Sequence, residues 1–317
     1  MPPKTRKQQT TVIVAQGGAG DVLCHGPLLE VLVHRNELVV VLAGHPEMLA
    51  GTPGIELLSL RPQADWRNDG RRIWMEVRSG AWEIKRWSGS HPYDGWAGIG
   101  EDRRTLVQIV ANIHGVEVDA DAVPVYRPTV GEVGAANRWF EQFPPGPVVL
   151  VHWPTKTCFG AKRWNVGAKP EFAATFVQIG SSDEERIPWA TSALGMPLRD
   201  TAALLFSRRV SAAILGESVF AHIAASSPLG KRAITVFTCT DPHVFGHKSS
   251  TRLSAPNGCE YWPCNGPVGG IGSLSPGFLN LTTGKPMIYW CRQQQKERLC
   301  GPSWNSTLQA VQALGGI

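Results

Sequence analysis

The sequence predicts an α/β protein of two domains, each built around a mainly parallel sheet. Two series of short apolar segments, within residues 11–60 and 148–237, alternate between strand-like and helix-like patterns. A proline-rich stretch at residues 143–147 separates the two series. The length of 317 residues suits two domains, and a hydrophobic content of 43% supplies enough apolar material for packed cores. A mostly disordered chain is therefore excluded.

The first series opens with a strand, a glycine-rich turn, a helix and a second strand, an order that places two parallel strands side by side. We assign residues 11–145 to an N-terminal Rossmann-like domain that follows a basic, disordered tail at residues 1–10. The elements predicted in this domain are strands at 11–15, 37–43 and 55–60 and helices at 23–34, 101–114 and 131–143.

Residues 61–104 interrupt this pattern as a tryptophan-rich insertion. The insertion contains five tryptophans, 9 basic and 7 acidic side chains, and no clear repeat. It is either a structural subdomain or a surface on which bases stack and phosphates bind.

The second series lies in residues 146–317, which we assign to a C-terminal Rossmann-like domain. Residues 256–303 are rich in Gly, Pro, Cys and Trp and are predicted to be loops. Ligands of open parallel sheets bind beyond the carboxyl ends of the strands, so we expect a binding cleft between the two domains. The predicted strands are 148–152, 175–179, 211–215 and 233–237, and the predicted helices are 199–207, 218–226 and 303–314.

Charge is distributed unevenly along the chain. Residues 1–149 carry 15 basic and 17 acidic side chains, whereas residues 150–317 carry 16 basic and 9 acidic ones. The second half is therefore the better candidate for binding an anion such as a diphosphate.

The apolar segments are too short for a membrane protein. None approaches the roughly 20 residues that span a bilayer, and no signal-type apolar segment follows the basic start. We expect a protein that has no transmembrane segment. We also expect it in the cytoplasm, or in the host cytoplasm if a virus encodes it. The seven cysteines are an odd number, which argues against a disulfide framework. The sequence does not predict the oligomeric state.

The glycine-rich turn of the first domain carries the first candidate site. Gly17, Gly18 and Gly20 allow a ligand to approach the backbone, although a tight strand–helix turn needs the same residues. Asp21 is either a helix cap or a general base at the mouth of a cleft. His25 is either a cleft residue or a plain helix histidine.

The second domain carries candidates for anion binding. Lys156, Lys162 and Arg163 follow the predicted strand at 148–152, where three cations suit a diphosphate, although a solvated basic loop has the same composition. Glu217 can accept hydrogen bonds from sugar hydroxyls, and Ser218 can cap the next helix, whose N–H groups can bind phosphate. The segment from Gly216 to His222 has the sequence GESVFAH. His222 is either a donor-binding residue or a histidine of the core.

Four cysteines lie in the loop-rich tail and leave three possibilities open. They can form a structural zinc site, two disulfides or unlinked thiols, and their spacing is not that of a usual zinc knuckle. These residues are Cys259, Cys264, Cys291 and Cys300.

Several motifs together resemble glycosyltransferase family 9, the heptosyltransferase family. Residues 12–23 (VIVAQGGAGDVL), followed by Pro27, resemble the family's opening strand and turn. Residues 214–225 (ILGESVFAHIAA) resemble its acid–hydroxyl–histidine segment. Further segments are also similar to parts of the family. They are residues 176–180 and 234–237, the Thr240–Pro242 loop, and the cysteine pair Cys259 and Cys264.

The resemblance implies the GT-B architecture, in which two Rossmann-like domains face each other across a cleft. It implies inverting sugar transfer from a nucleotide-diphosphate-sugar without a catalytic metal. Asp21 matches the family's catalytic base, Lys162 a lysine that binds the donor diphosphate, and Glu217 an acid near the donor sugar. Ser218 and Val219 match a phosphate-binding turn, in which Val219 replaces the usual glycine, and His222 matches the family's histidine.

Three functions remain open at this point. The first is a heptosyltransferase-like enzyme whose acceptor is a surface glycan. The second is a virus-encoded glycosyltransferase that modifies a hydroxymethylated pyrimidine base in DNA. The third is an inactive relative that binds a nucleotide or a glycan.

Overall fold

The computed structural model describes residues 10–15, 17–59, 84–88, 103–154, 164–238, 240–254 and 301–314. Contacts between these residues divide the chain into two compact units. Unit 1 comprises the described residues within Met1–Gly95 and Leu106–Arg127. Unit 2 comprises those within Trp96–Thr105 and Pro128–Ile317. The domain boundary at residue 145 stays a sequence prediction.

The sheet of unit 1 has four parallel strands in the order β3-β2-β1-β4. The central strand β1 is buried at every position, as its apolar run predicts. The strands are β1 (Thr10–Ala15), β2 (Leu38–Ala43), β3 (Ile55–Ser59) and β4 (Ile84–Ser88).

Three helices accompany this sheet: α1 (Ala19–Leu23), α2 (Gly26–His34) and α3 (Leu106–Ile113). The prediction of one helix over residues 23–34 is wrong at its start, because the chain turns at Cys24 and His25 between α1 and α2. Pro27 lies in the first turn of α2, where its missing N–H costs no helical hydrogen bond. In addition, a Cβ on Gly26 would lie 2.9 Å from that of Val125, so the chain packs closely at the start of α2.

Part of the tryptophan-rich insertion belongs to the sheet of unit 1. Strand β4 comes from this insertion and pairs with β1, so that Thr11 lies opposite Arg86. Most of the insertion lies outside the described residues. Both of its proposed roles therefore stay predictions.

The sheet of unit 2 has six parallel strands in the order β10-β9-β8-β5-β6-β7. Counted from β5, this is the 3-2-1-4-5-6 order of dinucleotide-binding folds. The sequence predicted β5, β6, β8 and β9 and missed the two edge strands. The strands are β5 (Val148–His152), β6 (Thr175–Gly180), β7 (Thr191–Leu194), β8 (Val210–Gly216), β9 (Ala233–Phe237) and β10 (Thr251–Ser254).

The helices of unit 2 are α4 (Val130–Phe140), α5 (Leu198–Leu204), α6 (Val219–Ala225) and α7 (Trp304–Ala313). Helices α4 and α5 pack together, and the Glu132 carboxylate accepts a 2.6 Å hydrogen bond from Nη2 of Arg199. No helix among the described residues is long and apolar enough to cross a membrane.

Tryptophans close the core of unit 2 beside its sheet. The Trp164 side chain is 0% exposed, and its ring centroid lies 5.8 Å from that of Trp304. The Trp304 ring in turn lies 5.7 Å from that of Trp189. Burial on this scale is typical of a packed core, so Trp164 has no face on which a nucleotide base could stack.

Candidate functional site

The glycine-rich turn of unit 1 is shaped around the Asp21 carboxylate. The Gly18 N–H donates a 2.8 Å hydrogen bond to Oδ2 of Asp21, which therefore caps the start of α1. Gly17 has a φ of +96°, and a Cβ on it would lie 2.5 Å from the same oxygen. A glycine at position 17 is thus needed both for the backbone conformation and for the position of Asp21.

The capping role that the sequence left open for Asp21 is present in the structure. Asp21 is partly exposed and follows the carboxyl end of β1. A cap and a base are compatible, because a carboxylate that accepts one N–H bond retains further lone pairs. The catalytic role of Asp21, and an acceptor-side role of Gly17, Gly18 and Gly20, stay predictions.

His25 lies inside unit 1, where it is 1% exposed. Its Nδ1 donates a 3.0 Å hydrogen bond to the Asp21 carbonyl oxygen, and its ring centroid lies 5.6 Å from that of His114. Burial lowers the pKa of His25 to about 4, although hydrogen bonds to the backbone of Asp21 and Val22 act in the opposite direction. His25 is therefore neutral at pH 7, and its acceptor-side role stays a prediction.

The candidate site of unit 2 lies where the strand order of its sheet reverses. Strands β5 and β8 are hydrogen-bonded neighbours, and His152 at the end of β5 lies opposite Leu215 of β8. Ligands of such sheets bind at this switch point, beyond the carboxyl ends of the strands. The predicted residues Glu217, Ser218 and Val219 directly follow β8, so they lie at that place.

The turn after β8 is closely packed and polar. A Cβ on Gly216 would lie 2.5 Å from Cδ of Pro154, so only glycine fits at the end of the strand. The Glu217 side chain is 6% exposed, and its N–H donates a 3.2 Å hydrogen bond to the carbonyl oxygen of Val236. This bond ties the turn to β9.

Ser218 caps α6 and contacts a second polar side chain. Its Oγ accepts a 3.3 Å hydrogen bond from the Phe220 N–H and lies 3.1 Å from Nδ1 of His152. On the other side of the His152 ring, Nε2 lies 3.4 Å from Oε1 of Glu184. A row of three polar side chains therefore crosses the carboxyl ends of β8, β5 and β6.

His222 occupies the interior position that the sequence gave as its alternative. It is 3% exposed, and its Nδ1 lies 2.7 Å from Nε2 of His247. Burial and the nearby His222 hold the pKa of His247 well below its ordinary value, while the negative charge of Glu217 acts in the opposite direction. One of these two nitrogens donates a hydrogen bond to the other. A donor-binding role of His222 stays a prediction.

The remaining predicted residues lie outside the described part of the chain. These are the cations Lys156, Lys162 and Arg163 and the cysteines Cys259, Cys264, Cys291 and Cys300. Among the described residues, no group of three or more His, Cys, Asp or Glu side chains is placed to bind a metal ion.

Sequence reasoning missed His152, Glu184 and His247. A signal for His152 was present, because it is the polar end of the otherwise apolar strand VVLVH. Glu184 had no such signal, because it lies in a polar turn whose conformation depends on Gly180.

The sequence has no match among protein-family models or among curated proteins. Solved structures do match, and they define a class: the chain has the fold of nucleotide-sugar glycosyltransferases. Within that class it is similar to the ADP-heptose LPS heptosyltransferase II of E. coli, with 13% identity, a TM-score of 0.55 and coverage of 78% of this chain and 91% of that one.

Two further structures show the same similarity. A family 9 glycosyltransferase from Veillonella parvula has 12% identity, a TM-score of 0.56 and coverage of 78% of this chain and 88% of that one. The dodecameric, iron-containing heptosyltransferase TibC, solved with ADP-D-β-D-heptose, has 15% identity and a TM-score of 0.54; coverage is 81% of this chain and 64% of TibC. The predicted α/β class and the resemblance to a heptosyltransferase-like fold are therefore confirmed.

Proposed function

We propose that this protein is a glycosyltransferase that transfers a sugar from a nucleotide-diphosphate-sugar to an acceptor hydroxyl. One observation carries the proposal: Glu217, Ser218 and His152 meet at the switch point of a sheet with the strand order of dinucleotide-binding folds. The similar solved structures are glycosyltransferases, and one of them holds ADP-D-β-D-heptose. We further propose a heptosyltransferase-like enzyme whose acceptor is a surface glycan.

In the proposed mechanism, Asp21 removes the proton from the acceptor hydroxyl as its oxygen attacks the anomeric carbon. The bond from that carbon to the diphosphate breaks on the opposite face, so the sugar configuration inverts. The proton ends on the Asp21 carboxylate, and the electron pair leaves with the nucleoside diphosphate. Glu217 accepts hydrogen bonds from hydroxyls of the donor sugar.

The leaving diphosphate gains negative charge and needs nearby cations. We propose that Lys162 supplies this charge, assisted by Lys156 and Arg163, so that no catalytic metal is needed. Turnover that is abolished by a chelator and restored by Mg²⁺ would contradict this part of the proposal. Cys259, Cys264, Cys291 and Cys300 are proposed as a structural zinc site, which elemental analysis of the purified protein tests.

The first experiment identifies the donor. ADP, UDP and GDP are each added to the protein and the midpoint of thermal unfolding is measured. A ligand at about 100 times its Kd stabilises the folded protein by roughly 2.7 kcal/mol, which is a shift of several degrees. If none of the three nucleotides shifts the midpoint, the proposed donor site is wrong.

The second experiment tests the base. Asn at position 21 still accepts a hydrogen bond from the Gly18 N–H but cannot take a proton at neutral pH. We expect Asp21→Asn to lower turnover of the matching nucleotide-sugar at least roughly 100-fold and to leave nucleotide binding intact. Turnover within a few-fold of the wild type would show that Asp21 is not the base.

A further inference from the structure

In the row formed by Ser218, His152 and Glu184, the polar side chains of His152 and Glu184 are buried, whereas Ser218 is partly exposed. The side chain of His152 is 4% exposed and that of Glu184 is 8% exposed. The Phe220 ring packs edge-on against the imidazole, with 4.9 Å between ring centroids. Polar groups in such surroundings are costly unless each one has a partner, so their arrangement needs a physical reason.

The backbone of β6 ends in a way that makes room for the Glu184 carboxylate. Gly180 has a φ of +149°, which favours glycine, and a Cβ there would lie 2.0 Å from Oε2 of Glu184. The Glu184 N–H donates a 3.2 Å hydrogen bond to the Ser181 carbonyl oxygen, which closes the turn. Two independent features therefore place this carboxylate beside Nε2 of His152.

The protonation of His152 decides what the Ser218 hydroxyl can do. With one proton on the ring, at Nε2 facing Glu184, Nδ1 accepts the Ser218 O–H. The hydroxyl then accepts from the Phe220 N–H and has no hydrogen left for a ligand. With a second proton, Nδ1–H donates to Oγ, and the Ser218 O–H turns outward to donate to an anion.

We propose that His152 takes up a proton when a nucleoside diphosphate binds at the carboxyl ends of β5 and β8. The Glu184 carboxylate then stabilises the imidazolium, and the Ser218 O–H donates a hydrogen bond to a phosphate oxygen. This inference rests on the proposed function, because the diphosphate is the leaving group of that reaction. His152 and Glu184 are positioning residues, since both act through Ser218.

Few other charges face the imidazole from the described elements packed against it. The neighbouring strand β6 presents Ile179 opposite His152, and β8 presents Leu215. The turn after β6 contributes Glu184, and the turn after β8 contributes Glu217. Helix α6 contributes the apolar Phe220, while its His222 faces His247 instead. The Glu184 carboxylate, 3.4 Å from Nε2, favours the added proton.

Isothermal titration calorimetry tests the inference. ADP, UDP and GDP are each titrated into the full-length protein above pH 7 in buffers of different ionisation enthalpy, which gives the number of protons taken up. We expect about one proton per bound nucleotide, and an affinity that falls up to roughly tenfold per pH unit. Protons taken up by the nucleotide itself are the same for every variant and are subtracted by comparison.

Two isosteric variants separate the two sides of the ring. An Asn amide lies near the position of Nδ1 and a Gln amide near that of Nε2. We expect both variants to lose the proton uptake. His152→Asn still donates to Ser218 and keeps wild-type affinity within a few-fold, independent of pH, whereas His152→Gln binds roughly tenfold more weakly. If His152 had only a structural role, the nucleotide affinity of His152→Asn would not exceed that of His152→Gln in this way.

Variants of the turn after β6 provide a second route and a control. Glu184→Gln removes the charge without changing the size, so proton uptake should fall well below one. Glu185→Gln changes the exposed neighbouring residue and should behave as the wild type. Circular dichroism shows whether each variant is folded, and the Glu184 variant decides the question if the His152 variants are not.

The possible results distinguish this inference from the proposed function. If a nucleotide binds but proton uptake is the same in the wild type, His152→Gln and Glu184→Gln, the inference is wrong and the proposed function stands. If no nucleotide binds the wild-type protein, both are wrong.

Discussion

At the scale of single residues, Gly17 has the most sharply defined role in unit 1. A Cβ at this position would lie 2.5 Å from the Asp21 carboxylate, and its φ of +96° is unfavourable for any other residue. We expect Gly17→Ala to lower the free energy of unfolding by about 1–3 kcal/mol. Denaturant titration measures this change.

Gly18→Ala is the matched control for that variant. The φ of Gly18 is −71°, and a Cβ there would lie 3.7 Å from the same Asp21 oxygen, an ordinary contact. Its stability should remain within about 0.5 kcal/mol of the wild type. Equal losses in the two alanine variants would mean that the geometry at Gly17 is not the cause.

The buried pair His25 and His114 predicts how stability depends on pH. Burial, together with the nearby His25, lowers the pKa of His114 to about 3, and burial lowers that of His25 to about 4. The unfolded chain binds these protons near pH 6.5 and the folded chain does not. Stability is therefore full above pH 6.5 and falls as pH decreases towards 4, by up to about 1.4 kcal/mol per pH unit for each histidine.

Unfolding measurements at pH 7 and pH 5 test this dependence. His114→Gln should make the loss of stability between these pH values smaller than in the wild type. The control His34→Gln removes an exposed histidine and should keep the wild-type loss. An unchanged loss in the His114 variant would show that the buried pair does not govern this pH range.

At the scale of elements, the start of α4 is stabilised by a capping box and by an ion pair with α5. Thr129 Oγ1 accepts a 3.1 Å hydrogen bond from the Glu132 N–H, and the Glu132 carboxylate accepts a 2.6 Å bond from the Thr129 N–H. The same carboxylate pairs with Arg199 on α5, and this pairing lowers the pKa of Glu132 to about 2. Its contribution to stability is therefore present above pH 4.5 and is lost as pH falls towards 2.

Thr129→Ala removes one half of this capping box. We expect the free energy of unfolding at pH 7 to fall by about 1 kcal/mol, measured by denaturant titration. Thr129→Ser keeps the hydroxyl and should cost much less. If the serine and alanine variants lose the same stability, the hydroxyl does not contribute through the cap.

In unit 2 the sequence predicted the four inner strands and missed the two edge strands, whereas in unit 1 it predicted the edge strand β3 and missed β4. Strands such as β5 and β9 are apolar at four of their five positions, because both faces of a parallel sheet are covered. The edge strands β7 and β10 have four residues each and include exposed positions, so their composition resembles that of loops. The break between α1 and α2 was missed because the apolar pattern continues through it.

The candidate site could be predicted only where its residues are close in sequence. Glu217 and Ser218 were identified because they directly follow a strand, and Asp21 because it follows a glycine-rich turn. The contacts of His152 with Ser218 and Glu184 join residues from three separate segments. Such contacts depend on strand order and on the conformation at Gly180, which local patterns do not specify.

At the scale of the whole molecule, the nature of the acceptor determines how binding responds to salt. Arg and Lys side chains interleaved with tryptophans in residues 61–104 led to the alternative of a DNA acceptor. Binding through phosphates weakens steeply with salt, because cations condensed on the DNA are released. For the proposed glycan acceptor, we expect no binding of single- or double-stranded DNA even at low salt.

Fluorescence anisotropy with labelled oligonucleotides measures this binding between about 50 and 200 mM salt. The Asp21→Asn variant, in which we expect turnover to be greatly lowered, allows the same titration in the presence of a nucleotide-sugar. Affinity that falls by orders of magnitude across this range would contradict the glycan acceptor and favour the modification of DNA.

The uniform direction of the strands in unit 2 makes the two ends of its sheet chemically unlike. His152, Glu184, Glu217 and Ser218 lie at one end, whereas the exposed Arg208 precedes β8 at the opposite end. That opposite end is accordingly the place to attach a fluorophore or an immobilising linker. A fluorophore attached to a cysteine introduced at position 208 would therefore lie away from the proposed donor site.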